Sequence, residues 1–186
     1  MINKNEQLNN EKRTLFTSRD CAYSAVFVAL TISAQLALSA IPGIEIVTLL
    51  FVTYSFAFGI IRGMVCAVAF SLIRMLVFGF YPTVLVLYLV YYTALSALFG
   101  FLGRRIKNPI KHLWLIVLVA CVCTVSFTLL DCAINSLWYG YTKRMMEVYF
   151  NASLAFMIPQ LICTAISTSI LFLPINKALS IFAKKH

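Results

Sequence analysis

Long runs of apolar residues, separated by short polar segments, make up most of the chain after its first twenty residues. A helix needs roughly 20 mainly apolar residues to cross about 30 Å of hydrocarbon. The runs are continuous and do not alternate with a period of two, so they favour membrane-spanning helices over strands. Six segments fit this description: 22–41, 45–61, 63–79, 83–102, 113–133 and 152–174.

The composition places all six segments in a membrane. Hydrophobic residues make up 62% of the chain and charged residues 11%, and the mean hydropathy is +0.92, whereas soluble domains are about a quarter charged. The sequence predicts an all-α integral membrane bundle of six transmembrane helices within residues 21–178. We expect residues 1–20 to form a polar arm, with no cleavable signal peptide, and residues 179–186 a basic tail.

Charge predicts the orientation of the bundle. Twelve of the fifteen Lys and Arg residues lie in the two termini, at the boundary of the second and third segments, and in the loop "GRRIKNPIKH". The opposite side has only Lys143 and Arg144, and Arg74 lies within the third segment. Because basic loops stay on the cytoplasmic side, both termini are predicted to be cytoplasmic. No basic-aromatic module accompanies the net charge of +9, so nucleic acid is not an expected partner.

Three ionisable residues interrupt the apolar segments or lie at their edges, and such residues usually face a protein interior or a cavity. They are Glu45, Arg74 and Asp131, and the predicted topology brings all three to the extracellular half. Asn135 and Trp138 follow Asp131 at helical offsets of four and seven, so the three share one face. The alternative is that Arg74 only neutralises Glu45 or Asp131.

Further polar and aromatic groups reach the same half of the bundle. Tyr88 lies in the fourth segment, Asn151 is at the outer start of the last, and Gln160 follows Pro159 within the last. Together these residues predict an outward-facing pocket for a small, planar, polar solute. The alternative for the tyrosines is an interfacial belt. Asn151-Ala-Ser153 also matches a glycosylation acceptor, a motif that is frequent by chance.

Several kinds of chemistry have no motif in the sequence. A phosphate-binding loop of the form G-x-x-x-x-G-K-[ST] is missing, as are the motifs of intramembrane enzymes, so we expect neither ATP hydrolysis nor another enzymatic activity from this chain. The six cysteines have no metal-binding spacing and are expected to be packing residues. We predict no metal and no cofactor.

The first apolar segment, "SAVFVALTISAQLALSA", carries a small residue at every fourth position: Ala25, Ala29, Ser33 and Ala37. In a bilayer, small residues four apart let another helix approach closely. The stripe therefore predicts a close contact, either within this protein or with a partner helix.

These features resemble the substrate-binding S component of energy-coupling factor (ECF) vitamin transporters. The resemblance rests on "TSRD", the A-x-x-x-A helix, "IPGIEIVTLLFVTYSFAFG" and the last segment, "YFNASLAFMIPQLICTAISTSILFLPINKAL". It implies capture of a vitamin or related heterocycle, such as a pyrimidine, flavin, pyridoxine or deazapurine, at the outer face of a bacterial plasma membrane. It also implies a membrane coupling protein, contacted by Ala25 and Ala29, two cytoplasmic ATPases, and a lid at about residues 40–45.

Two other classes of function stay open on the sequence. A self-contained secondary transporter would use a proton at Asp131 or Glu45 and need no ATPase. A structural or sensory membrane protein would use the polar groups only for helix packing and would bind no solute.

Overall fold

The computed structural model describes residues 17–40, 46–106 and 108–183, and within these ranges the chain forms six α-helices and no strand. The prediction of an all-helical protein is therefore confirmed. The predicted lid and Glu45 lie outside the described residues, apart from Ala40. In chain order the helices are α1 (Ser18–Leu38), α2 (Val47–Phe58), α3 (Ile60–Phe78), α4 (Pro82–Arg105), α5 (Leu113–Tyr139) and α6 (Lys143–Ala183).

Five of these helices are long and apolar enough to cross a membrane: α1, α3, α4, α5 and α6. The chain is consistent with a multi-pass membrane protein on this ground. The remaining helix, α2, has 12 residues and extends about 18 Å, which is less than the hydrocarbon thickness. The sixth crossing and the orientation of the termini stay predictions.

The short helix α2 forms the centre of the bundle. Every residue from Val47 to Phe56 is buried, as expected for a helix that is apolar on all sides. The ring of Phe51 contacts Phe27 of α1, Phe70 of α3 and Tyr92 of α4, with centroids 4.8 to 5.4 Å apart. Such aromatic pairs each contribute about 0.5–1.5 kcal/mol beyond the area they bury, so α2 holds three of the longer helices together.

A close approach of backbones joins α4 to the junction of α2 and α3. At Gly100, a Cβ atom would lie 2.6 Å from the Ile60 nitrogen and 2.7 Å from the Ile60 Cα. One turn later, Gly103 is in similarly close contact with the backbone of Phe56. Gly59 makes the junction itself with a φ of +88°, a backbone conformation that glycine adopts without strain.

One end of the bundle, which we call the basic end, contains the start of α1, the α2–α3 junction and the end of α4. Thr17 is the N-cap residue of α1, and its backbone N–H donates to the Asp20 carboxylate at 3.0 Å. Arg62 at the start of α3 pairs with the same carboxylate oxygen at 3.1 Å. Asp20 is 2% exposed, so this ion pair compensates a charge that is removed from solvent. Arg104 and Arg105 end α4 at this same end.

The last helix differs most from the predicted segment. It has 41 residues, about 60 Å, and it begins nine residues before the predicted start at 152. Near its other end, Phe172 packs edge-on against Phe56 of α2, with centroids 5.3 Å apart. Because α5 and α6 are antiparallel neighbours joined by the loop at Gly140, the first turns of α6 lie beside the last turns of α5, at the end opposite the basic end.

Candidate functional site

A cavity of about 300 Å³ lies between α5 and α6, towards the end opposite the basic end. Its wall combines aromatic rings, a thioether and a few polar groups, as in many small-molecule sites. The residues that line it include Phe127 and Asp131 from α5 and Tyr149, Ser153, Phe156, Met157 and Gln160 from α6.

Asp131 is the centre of a hydrogen-bond network at the cavity wall. The Tyr149 hydroxyl donates to the Oδ2 atom of Asp131 at 2.6 Å, and the Asn135 amide donates to its Oδ1 atom at 2.9 Å. The same amide group also reaches the Tyr149 hydroxyl oxygen at 3.2 Å. Both carboxylate oxygens therefore accept a hydrogen bond, and the network joins the two helices.

Helical spacing explains how this wall is built. Asp131 and Asn135 are four residues apart on α5, so they are neighbours on one face. The α6 residues Tyr149, Ser153 and Met157 follow one another at intervals of four, and the Ser153 hydroxyl donates to the Tyr149 carbonyl at 2.9 Å. The face of α6 that meets α5 therefore presents a hydroxyl, a second hydroxyl and a thioether in successive turns.

A second contact between the helices marks the far side of the cavity. The Thr124 hydroxyl donates to the Thr164 hydroxyl at 3.2 Å, and both residues are buried. The Asp131–Tyr149 contact and the Thr124–Thr164 contact are separated by about 10 Å along α5 and by about 22 Å along α6. The two helices therefore do not run side by side in register, and the cavity lies in this interval. Pro159, which cannot donate a backbone hydrogen bond, is in the same stretch of α6.

Phe127 connects the cavity to the aromatic core. Its ring contacts Tyr91 at a centroid distance of 4.8 Å and Tyr88 at 5.9 Å. Tyr91 and Tyr88 in turn contact Tyr92, which packs against the central helix α2. Since Phe127 is held from behind by two α4 tyrosines, its ring forms a fixed wall of the cavity.

Arg74 lies behind this wall. Its guanidinium is 4.1 Å from the Tyr88 ring centroid and 5.0 Å from that of Phe78, which are cation–π distances. Gln35 of α1 donates to the Tyr88 hydroxyl at 3.2 Å. Among the described residues, Arg62–Asp20 is the one ion pair. Arg74 therefore forms no ion pair with Asp131 in the described part of the chain, and its contacts there are with the two aromatic rings. A pairing with Glu45 lies outside the described residues.

The structure brings some of the predicted site residues together and separates others. Asp131 and Gln160 line the cavity, and Asn135 supports Asp131 from α5. Tyr88 and Arg74 are one layer further in, behind Phe127.

Two predicted residues, Trp138 and Asn151, do not line the cavity. Trp138 shares the face of Asp131, but it is about 10 Å further along α5, at the exposed end of the helix, and is itself 57% exposed. Asn151 is exposed because it is two residues from both Tyr149 and Ser153, and residues two apart point to different sides of a helix.

Tyr149 is the site residue that sequence reasoning missed. It precedes the apolar segment predicted to start at 152, in a stretch with three charged residues, Lys143, Arg144 and Glu147. The signal was its spacing of four and eight residues from Ser153 and Met157, which extends the polar face of α6 by one turn towards its start. Phe127 was equally hidden, because a phenylalanine in an apolar helix carries no distinctive pattern.

The small-residue stripe of α1 faces away from the bundle. Ala25, Ala29, Ser33 and Ala37 are all exposed, whereas the opposite face of α1 supplies buried side chains such as Phe27. The interpretation that the stripe packs within this protein is therefore wrong for the described part of the chain. None of the other five described helices packs closely against this face.

Comparisons with protein-family models, with curated proteins and with solved structures find no match to this chain. Within the described ranges, no group of three His, Cys, Asp or Glu residues is arranged to hold a metal ion.

Proposed function

We propose that this chain is the substrate-binding membrane subunit of an ATP-driven importer of the ECF type. It would capture a vitamin or related small heterocycle outside a bacterial cell and deliver it inward together with a coupling protein and two ATPases. Both termini would be cytoplasmic, and α2 would complete six crossings as a short helix enclosed by the others. The resemblance of "TSRD", the A-x-x-x-A helix and "IPGIEIVTLL" motivates the assignment to this class.

The observation that carries the proposal is the cavity between α5 and α6. It combines a hydrogen-bonded carboxylate, Asp131, with the rings of Phe127 and Phe156. A helix-packing role alone does not require a cavity of about 300 Å³, since close packing leaves few voids larger than a water molecule. The cavity lies away from the basic end, which the positive-inside rule assigns to the cytoplasm, so it would open towards the extracellular half.

The exposed stripe on α1 supports the need for a partner. Ala25 and Ala29 lie in the half of α1 that begins at the basic end, so they would face the bilayer near the cytoplasm. Small side chains there leave a shallow groove in which the backbone of a second helix could pack closely. In the proposed importer, the membrane coupling protein supplies that helix.

The proposal is tested in two steps. The chain is first purified without partners, denatured, and the small molecules released are identified by mass spectrometry. The identified compound is then offered, radiolabelled, to vesicles that contain the chain either alone or with the coupling protein and both ATPases. We expect uptake only in vesicles that contain all subunits and internal ATP.

Uptake by the chain alone, driven by a proton gradient, would establish a self-contained carrier in place of the proposed function. If repeated preparations release no compound and no uptake occurs with all subunits present, the structural or sensory alternative would hold.

A further inference from the structure

The hydrogen atoms of the polar network around Asp131 are all committed within the protein. The single hydroxyl hydrogen of Tyr149 points to the Asp131 carboxylate. The two amide hydrogens of Asn135 are shared among that carboxylate, the backbone carbonyl of Asp131 and the Tyr149 oxygen. The Ser153 hydroxyl donates to the Tyr149 carbonyl. This part of the wall therefore has no donor left to offer, but each oxygen of Asp131 can accept one more hydrogen bond.

The charge of the cavity has one sign. Asp131 alone is charged among the described residues that line it. Arg144 lines a neighbouring open depression of about 620 Å³, which shares Tyr149 and Ala152 with the cavity. It forms no ion pair with Asp131 in the described structure. An ionised carboxylate at membrane depth without a counter-charge is energetically costly, so a cation that enters the cavity gains a partner.

The aromatic lining of the cavity favours a flat molecule. The rings of Phe127 and Phe156 supply apolar surface, and Phe127 is fixed from behind by Tyr91. Aromatic side chains stack on planar groups and attract cations through their faces. Gln160 lies further along α6 than Met157 and adds an amide to the wall away from Asp131.

We propose that the solute is a planar, cationic nitrogen compound whose N–H groups donate to Asp131, such as an amidine or a protonated aminoheterocycle. This inference rests on the proposed function only in that the cavity is a solute site. A carboxylate that offers two acceptor oxygens in one plane matches two N–H groups in one plane. An anionic solute would meet Asp131 with like charge and would be excluded.

The test uses three probes of nearly identical shape: the benzamidinium cation, neutral benzamide and the benzoate anion. Binding to the purified full chain in detergent is measured by saturation-transfer NMR and isothermal titration calorimetry. We expect benzamidinium to bind more tightly than benzamide, and benzoate not to bind. Asp131→Asn should lower the affinity for benzamidinium at least tenfold and abolish the difference between cation and neutral probe.

Two further variants keep the result interpretable. Asp131→Glu retains the charge and should retain the order of the three probes, even if the affinity changes. Glu147→Gln removes the same charge from an exposed position two residues from Tyr149 and should leave benzamidinium affinity within about twofold. Each variant is compared with the wild type by its melting temperature, so that an unfolded protein is recognised.

The proposal would be overturned if benzoate bound as tightly as benzamidinium, if no probe bound at millimolar concentration, or if folded Asp131→Asn kept the preference for the cation. These results are separate from the test of import. Uptake that does not depend on ATPases would overturn the proposed function and leave the cation preference intact. ATP-driven uptake of an anionic vitamin would support the proposed function and overturn the cation preference.

Discussion

The contact between α4 and the α2–α3 junction leaves no room for a methyl group at Gly100. A Cβ there would lie 2.6 Å from the Ile60 nitrogen and 2.9 Å from the carbonyl carbon of Gly59. Ordinary contacts begin near 3.4 Å, and all the atoms involved are backbone, which cannot rotate away. Gly100→Ala must therefore push α4 outward by roughly 0.5–1 Å.

The free-energy consequence can be worked from this displacement. A radial gap of about 0.5–1 Å forfeits a quarter to a half of the dispersion energy of each contact it opens. Overpacking of a close contact typically costs about 1–3 kcal/mol. Because the clash at Gly100 is with rigid backbone, we expect a destabilisation near 2–3 kcal/mol.

The assay is reversible unfolding in mixed micelles at increasing denaturing detergent, followed by circular dichroism. The matched control is Ala94→Val, which adds more volume to an exposed position of the same helix and should change stability by less than about 0.5 kcal/mol. Equal stability of Gly100→Ala and the wild type would refute the close backbone approach. Equal losses in the two variants would show that added volume on α4, and not this contact, is responsible.

Three more substitutions test other parts of the structure. Arg62→Gln leaves the nearly inaccessible Asp20 carboxylate without its ion-pair partner. We expect a destabilisation of about 1–3 kcal/mol, less than for a fully buried pair because Arg62 is partly exposed. Adding Asp20→Asn should recover part of that loss in the same unfolding assay, and no recovery would contradict the coupling of the two residues. Tyr88→Leu removes the ring beneath Arg74, whereas Tyr88→Phe keeps it. The free energy of unfolding should therefore be lower in Tyr88→Leu than in Tyr88→Phe by about 1–2 kcal/mol. Equal losses of stability in the two variants would argue against the cation–π contact. Ala29→Trp should leave the melting temperature unchanged, because the side chain faces outward. It should abolish capture of the chain by the proposed coupling protein in a pull-down. Retained capture would show that this face of α1 is not the contact with that partner.

Hydropathy was sufficient to locate α1, α3, α4 and α5, because a long apolar run in lipid has to be helical to satisfy its backbone. It was less informative about α2 and α6. The 12-residue helix α2 is enclosed by protein, and its length reflects packing against neighbours that come from distant parts of the sequence. The first turns of α6 carry Lys143, Arg144 and Glu147, so their composition resembles a loop, although they continue the helix.

The site was predictable where it depends on local spacing. Asp131 and Asn135 are one turn apart, and the sequence pairs them correctly. Tyr149 completes the network only because α6 folds back on α5, a tertiary contact that no local pattern specifies. The same spacing rule selected Trp138, because it shares a face of α5 with Asp131. Spacing does not show how much of that face the neighbouring helix covers, and Trp138 lies at the exposed end of α5.

The most direct test of a solute-binding subunit is native mass spectrometry of the chain, expressed alone and released from micelles. We predict a second peak heavier by one small molecule in the wild type and in Glu147→Gln, and its loss in folded Asp131→Asn. The same occupancy in Asp131→Asn would place the solute elsewhere in the bundle. A bare chain in every preparation, after growth in rich medium, would contradict the account that this protein captures a solute on its own.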